Sequence, residues 1–320
     1  MEACTHPEAG LERLLDARDP VTGDPFEIRR CAACGLTLTW PVPSPSELGR
    51  YYPDAYYGKA SEKRFAGPIE GLQRALYGSR VRLVEQASGG RPGRVLDVGC
   101  GRGFLLGAFR RRGWTVEGTE LSAASSAHAR EALGIPVHVG ALESLRLPAA
   151  SFDAVTLWHV LEHVADPASL LAEVGRLLRP GGALLVGVPN FASPEARATG
   201  AGWFHLDAPR HLVHFTPATL DRALTDAGFE AIGSRGLAPE YDVFSLVQSA
   251  LNRMGLRQNA LYDLLRGRAA RLGTAGGLSA AASVLLAAPL GILSVPATLA
   301  AGLARAGSTL TVIARKEVPG

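Results

Sequence analysis

The segment VLDVGCGRGFLL (residues 95–106) constrains this chain more than any other. A β-rich run ends at Asp97, three glycines follow at Gly99, Gly101 and Gly103, and a helical pattern opens at Phe104. Glycines at that junction let the backbone turn sharply and approach a ligand, with the first N–H groups of the helix facing it. One β run later, TVEGTE ends at Glu120, where a carboxylate can accept hydrogen bonds from ribose hydroxyls.

From Arg94 to about Gly236 short β-rich runs alternate with helical patterns, among them FLLGAFRRRG, FDAVTLW, ASLLAEVGRLL, GGALLVGVP and LDRALTDAGF. Alternation of this kind predicts an α/β fold, a mostly parallel sheet with helices on both faces. The 320 residues are 47% hydrophobic and 20% charged, enough to bury a large core and unlike a disordered chain. A net charge of +3, nearly all its cations arginines scattered along the chain, gives no reason to expect a nucleic-acid partner. Five zones separate by pattern: 1–45, a small cysteine-bearing hairpin; 46–90, a linker and helical lid; 91–236, the core; 237–306, an apolar helical insertion; and 307–320, a closing strand.

The glycine spacing narrows the cofactor. The dinucleotide fingerprint is G-x-G-x-x-G, whereas here the glycines run G-x-G-x-G after an acidic residue. Phe152-Asp-Ala-Val155 opens a later strand, Leu178-Arg-Pro-Gly-Gly182 turns into the next, and the hydrophobic run STLTVIARK closes the chain. Together these residues resemble class I S-adenosylmethionine-dependent methyltransferases. The resemblance implies a Rossmann-like seven-stranded methyltransferase sheet and S-adenosyl-L-methionine as cofactor. It also implies that Gly99, Gly101 and Gly103 cradle the methionine end, that Asp97 bonds near its amino group, that Glu120 holds the ribose, and that Leu121 packs on adenine. Many relatives have an acidic residue after the third strand; Ala141 and Leu142 stand there instead, so only backbone contacts to the adenine are expected.

WHVLEHVADP (residues 158–167) contains His159-x-x-Glu162-His163, the H-x-x-E-H pattern of one class of zinc peptidases. A peptidase needs both histidines on a well-formed helix, yet here they follow a strand directly inside the cofactor domain, which argues against that chemistry. V-L-E-H-V-x-D-P resembles instead a methyltransferase branch that includes quinone and sugar methyltransferases, where the first position touches cofactor or acceptor and the E-H pair shapes the site. Some quinone methyltransferases carry E-x-x-E-H here with a divalent cation; His159 replaces the first carboxylate, a softer ligand set. Methyl transfer to a hydroxyl uses a base, and histidine suits neutral pH. The run HLDAPRHLVHFTPATL offers His205, Arg210, His211 and His214, with Pro209-Arg210-His211 expected in a loop over the acceptor pocket and Thr216 capping a helix that opens at Pro217. His211 is the first expectation for the catalytic base, His159 the second, and His214 reads as structural.

Cys31-Ala-Ala-Cys34-Gly between the β runs FEIRR and LTLTW resembles half of a zinc ribbon, a feature of some sugar methyltransferases. The first knuckle departs from the pattern, Cys4-Thr5-His6-Pro7, so the expected ligands of a structural zinc are Cys4, His6, Cys31 and Cys34. A ribbon that has lost its metal is the alternative. Cys100 reads as packing. With four cysteines and no basic n-region before an apolar run, the N-terminus predicts a reduced, cytoplasmic protein.

Leu272 to Ala304 carries no charge. Because STLTVIARK is expected to complete the same sheet, both ends of this stretch must lie on one side, and two crossings would need roughly 40 residues. The readings left are an interfacial helical hairpin, broken at Pro289 or Pro296, that contacts the inner face of a membrane, and a helical insertion packed on protein. The expected function is methyl transfer to a small or lipid-linked acceptor, O-methylation of a sugar, quinone precursor or related metabolite. A catalytically inactive cofactor-fold scaffold and a nicotinamide oxidoreductase are the rivals.

Overall fold

The computed structural model describes residues 6–52, 67–267 and 273–318, so Cys4 lies outside the described residues. Eleven strands are described: β1 (Leu11–Arg18), β2 (Pro25–Cys31), β3 (Thr37–Trp40), β4 (Arg94–Val98), β5 (Thr115–Glu120), β6 (Val137–Val139), β7 (Phe152–Trp158), β8 (Leu178–Pro189), β9 (Val213–His214), β10 (Phe229–Arg235) and β11 (Thr309–Lys316). The helices used below are α1 (Gly67–Ala87), α2 (Phe104–Arg111), α3 (Pro167–Leu177), α4 (Pro194–Thr199), α5 (Pro217–Asp226), α6 (Pro239–Arg253), α7 (Ala260–Leu265) and α8 (Gly273–Leu303).

Seven strands form one sheet in the order β10-β11-β8-β7-β4-β5-β6, as the sequence predicts. Strands β8, β7, β4, β5 and β6 run parallel, while β11 lies antiparallel between β8 and β10. Successive residues of the central strands point to opposite faces. Leu96, Val155 and Leu184 therefore join a core with Leu171, Val174, Leu220 and Leu224 of α3 and α5. Val95, Ala154 and Leu185 face the other way, onto Val81 and Val84 of α1 and Leu106 and Phe109 of α2. This double burial is why the strands read as continuous apolar runs.

Local chemistry sets the helix starts. Asp166 accepts from the Ser169 N–H at the head of α3, and Thr216 with Thr219 forms the capping box of α5 behind Pro217, as expected.

The N-terminal hairpin is larger than predicted. Residues 11–18, read from sequence as part of the cysteine-bearing segment, form β1 on the outer edge of β2 and β3. The sheet also recruits β9, with Thr37 opposite His214 and Leu38 opposite Val213, so its order is β1-β2-β3-β9. The hairpin of residues 11–40 thus shares a sheet with the strand that follows the loop carrying His211.

The apolar insertion also departs from expectation. Instead of a hairpin broken at Pro289 or Pro296, α8 is one helix of 31 residues with both prolines inside it. A proline removes one i→i−4 hydrogen bond without ending a helix that packing holds together. Helix α8 lies against α6 and α7, and Val247 and Leu251 cluster with Leu286 and Leu290.

Candidate active site

The glycine loop joins the carboxyl end of β4 to α2. Gly99, Gly101 and Gly103 have φ of +68°, +48° and +75°, a left-handed backbone that residues with a Cβ rarely adopt. Space excludes a side chain as well. A Cβ on Gly99 would lie 2.6 Å from Val160 Cγ2, and one on Gly103 would lie 2.7 Å from Ala129 Cβ. The loop closes on the next strand, where Gly101 N–H donates to Glu120 Oε2 at 3.0 Å. Beyond Glu120, Leu121 stands 73% exposed, a large apolar side chain beside the glycine loop rather than in the core. Gly140 N–H donates to the Glu120 carbonyl at 3.0 Å and brings Ala141 and Leu142 beside it. Leu142 is buried, so its backbone rather than its side chain is the group available there.

Asp97 lies at the floor and accepts a short hydrogen bond from Thr156 Oγ1. Burial pushes its carboxyl up to about 7, against the pull of Thr156 and Arg80. Cys100 is buried under Gly118, where a Cβ would meet its Sγ at 2.5 Å. It is a packing residue, as its sequence position implied.

His159 directly follows β7 and holds a left-handed φ of +54°, unusual for a side-chain-bearing residue. Its N–H donates to the Gly187 carbonyl at 2.8 Å, and its Nδ1 lies 2.9 Å from Glu162 Oε1. The Tyr241 ring sits 4.8 Å from the imidazole and the His205 ring stacks at 6.0 Å. The next residue, Val160, covers Gly99, so His159 stands at the edge of the glycine loop.

The E-H pair and the P-R-H loop, 47 residues apart, meet. Leu212 N–H donates to the Glu162 carbonyl at 2.8 Å, and His163 Nδ1 donates to the Arg210 carbonyl at 2.9 Å. His211 Nδ1 donates to the His205 carbonyl at 2.7 Å, and the His163 and His211 rings pack edge to face at 4.7 Å. One ligand-type atom each from Glu162, His163 and His211 falls within 4.8 Å of the others. Burial pushes His163 and His211 down to about 4, so both are neutral at pH 7. The same cause takes His205 and His214 to about 3. His214 Nε2 is 2.9 Å from Thr39 Oγ1, a structural tie between the neighbouring strands β9 and β3.

Arg210 binds Asp19 Oδ1 at 2.8 Å and Asp207 Oδ1 at 2.7 Å, with its side chain 2% exposed. Burial opposes charge on Asp207, but Arg210 holds its carboxyl down at about 2. Sequence reasoning had placed Arg210 only in the loop over the acceptor. It also missed Arg80 and Tyr241, from α1 and α6. The Arg80 guanidinium lies 3.7 Å over the Trp158 ring and 5.7 Å from Tyr241, walling the site beside His159. The one available signal was Trp158 itself, an aromatic at the end of a strand that faces the crevice.

At the cysteine knuckle, ligand-type atoms of His6, Cys31 and Cys34 lie within 4.8 Å of one another, and Cys34 Sγ is 3.4 Å from His6 Nδ1. The turn is tight, with Gly35 at φ +76° and its N–H bonded to the Cys31 carbonyl at 2.8 Å. The H-x-x-E-H pattern, by contrast, sits on a single 3-10 turn, Leu161–His163, and His159 bonds to Glu162 rather than facing His163. That geometry is not the helical pair a peptidase needs.

A family model described as a methyltransferase domain matches residues 69–233. A ubiquinone biosynthesis O-methyltransferase of Aromatoleum aromaticum is 33% identical over 181 residues, 52% of this chain and 77% of that protein. One of Paracidovorax citrulli is 48% identical over 99 residues, 28% of this chain and only 40% of that protein's own length. Among solved structures, a putative sarcosine dimethylglycine methyltransferase from Galdieria sulphuraria superposes with a TM-score of 0.50, covering 84% of this chain and 97% of that one. At 13% identity that likeness concerns the fold alone. The family match extends from α1 through the glycine loop to β10, the stretch whose geometry forms the crevice, and the chain belongs to the methyltransferase-domain family.

Proposed function

We propose that this chain transfers the methyl group of S-adenosyl-L-methionine to a hydroxyl of a small or lipid-linked acceptor of the quinone-precursor or sugar type. The observation that carries the reading is the trio of left-handed glycines closed onto Glu120, with the His159–Glu162 pair at the end of the neighbouring strand. The two relatives that are ubiquinone O-methyltransferases favour oxygen as the acceptor atom.

The bound sulfonium supplies an electrophilic methyl carbon, and the chain's own residues do the rest by orientation and proton removal. Gly99, Gly101 and Gly103 admit the methionine end, Asp97 takes its ammonium, Glu120 takes the ribose hydroxyls, and Leu121 with the Ala141–Leu142 backbone receives the adenine. The His159–Glu162 pair would take the proton of the acceptor hydroxyl, whose oxygen would then accept the methyl group that the bound sulfonium supplies. Glu162 fixes the imidazole by its Nδ1 contact, so Nε2 is the nitrogen turned to the proton. His211 is the other candidate base. Its side chain is buried and its Nδ1 is held by the His205 carbonyl, so His159 is preferred on geometry, the reverse of the order expected from sequence.

A structural zinc on Cys4, His6, Cys31 and Cys34 belongs to the same reading, supported by the convergence of the three described ligands. Such a closed N/S site stabilises folding and takes no part in methyl transfer. The apolar stretch Leu272–Ala304 is read as contact with the cytoplasmic face of a membrane. An inactive scaffold has no support in a loop this complete, and a nicotinamide enzyme would carry the other glycine spacing.

Calorimetry tests the reading: S-adenosylhomocysteine binds and NAD does not. With labelled methyl donor and cell lipid extract, His159→Ala keeps S-adenosylhomocysteine binding while methyl transfer falls by about 100-fold or more. A chain that fails to bind S-adenosylhomocysteine sinks the proposal.

A further inference from the structure

Helix α8 is built inside out. Its fully buried side chains, Ala280, Ser283, Ser294 and Thr298, are all small or hydroxylic, and Leu286 and Leu290 pack half-buried against α6 and α7. Most of its other large apolar residues face away: Leu278 is 78% exposed, Leu285 77%, Ile292 74% and Leu293 68%. A helix on a water-soluble surface turns its leucines inward and its polar residues outward. Small residues at the helix–helix contact with leucines outward is the arrangement of helices whose solvent is lipid. The hydroxyls are satisfied within the helix, Ser283 Oγ donating to the Ser279 carbonyl and Ser294 Oγ to the Gly291 carbonyl.

The helix does not span. Its C-terminal end leads directly into β11, which is paired to β8 and β10, and its body packs on α6 and α7. At about 1.5 Å per residue its 31 residues form a rod about 46 Å long lying along the domain. The charge at its borders is of one kind. Residues 253–271 include five arginines against the single acidic Asp263, which Arg257 neutralises, and Arg305 stands just beyond the far end. Lysine and arginine beside an apolar face match the negative potential of anionic lipid headgroups.

From α8 a row of half-buried rings leads to the candidate base. Phe244 of α6 packs in one cluster with Leu286 and Leu290 of α8. Tyr262 and Phe244 each lie 5.3 Å from Phe204, which is 5.2 Å from His205, which stacks on His159 at 6.0 Å. Helix α6 also carries Tyr241, in contact with His159 at its other end.

We infer that α8 lies flat in one leaflet of an anionic bilayer with its large side chains in the lipid, and that the aromatic row from Tyr262 to His205 is the path by which the apolar tail of a lipid-linked acceptor reaches the site. The inference rests on the methyl-transfer reading for what happens at His159, and only the lipid-side entry is added here.

Flotation of the full chain with vesicles containing phosphatidylglycerol tests the seat, and S-adenosylhomocysteine calorimetry on the same samples tests the underlying reading separately. Wild type floats. Leu285→Lys with Ile292→Lys and Leu293→Lys, all at outward positions, lowers flotation by at least about tenfold and leaves S-adenosylhomocysteine affinity unchanged. Vesicles doped with a diazirine-bearing farnesyl lipid then test the path, with label expected on peptides containing Phe204, Phe244 and Tyr262. The inference is overturned if wild type binds S-adenosylhomocysteine but does not float, or if the triple variant floats as well. It is equally overturned if the label misses those peptides, or if sedimentation finds instead a dimer that the triple variant dissolves.

Discussion

Asp97 carries the most information of any single residue here. It ends a strand, so its carboxyl faces the crevice, and its neighbours Thr156, Arg80 and Glu120 act on one buried charge. Its folded-state value, raised from 3.8 to about 7, means that the empty protein binds a proton there which the unfolded chain releases. The group therefore contributes stability at acid pH that is lost as pH rises from about 4 through about 7. Cofactor affinity has the opposite sign, because the ammonium of the ligand pairs with the ionised carboxylate. S-adenosylhomocysteine affinity is expected to fall by up to about tenfold per pH unit below about 7 and to level off above it. Calorimetry across that range checks this, with Asp97→Asn expected to bind weakly and without the slope; a level wild-type profile contradicts the assignment. Asp97, the three glycines and Glu120 were legible because each is adjacent in sequence to the element that positions it. Arg80 and Tyr241 were not, since they reach Trp158 and His159 respectively from helices on either side of the core in sequence, and nothing in their own neighbourhoods marks them.

Among elements, the cysteine knuckle and α8 show opposite degrees of legibility. The knuckle is local, a turn between β2 and β3 that brings Cys31 and Cys34 together as the Cys-x-x-Cys-Gly spacing implies, while His6 joins them from outside the turn. Elemental analysis of protein purified without added metal is expected to find one zinc per chain, lost in Cys31→Ser together with thermal stability. Zinc-free wild-type protein of the same stability would make the hairpin a ribbon that has lost its metal. For α8, composition alone could not separate lipid contact from a packed insertion, because both demand uncharged residues. Which side chains point outward distinguishes them, and that depends on how the helix is rotated against α6. The expected break at Pro289 or Pro296 failed for a related reason. Proline's cost is local, while contact along α6 and α7 is spread over the helix and outweighs it.

At the scale of the molecule, a buried ion cluster ties the N-terminal sheet to the loop that leads into β9. Arg210 links Asp19 of the N-terminal sheet to Asp207 of the acceptor loop, and Thr39 Oγ1 donates to the His211 carbonyl beside it at 2.6 Å. Arg210→Met leaves the Asp19 and Asp207 carboxylates without their cation, one of them fully buried, and is expected to lower unfolding free energy by about 3–5 kcal/mol in denaturant titrations. Because Arg210 adjoins His211 and its carbonyl accepts from His163, the same variant is expected to impair methyl transfer beyond its effect on folding. An unchanged denaturation midpoint would show the cluster to be dispensable.

By itself the sequence determined the α/β class, the cofactor loop with its acidic partner, the strand that delivers His159, and the capped start of α5. All of these depend on periodicity, glycine conformation and caps, which act over a few residues. Only the tertiary structure decided that the hairpin and β9 share a sheet, that His159 pairs with Glu162 while His211 is sealed beneath, and that α8 turns most of its large apolar side chains outward. Those outcomes depend on contacts between residues tens to hundreds of positions apart, whose register is set by packing and burial rather than by local spacing.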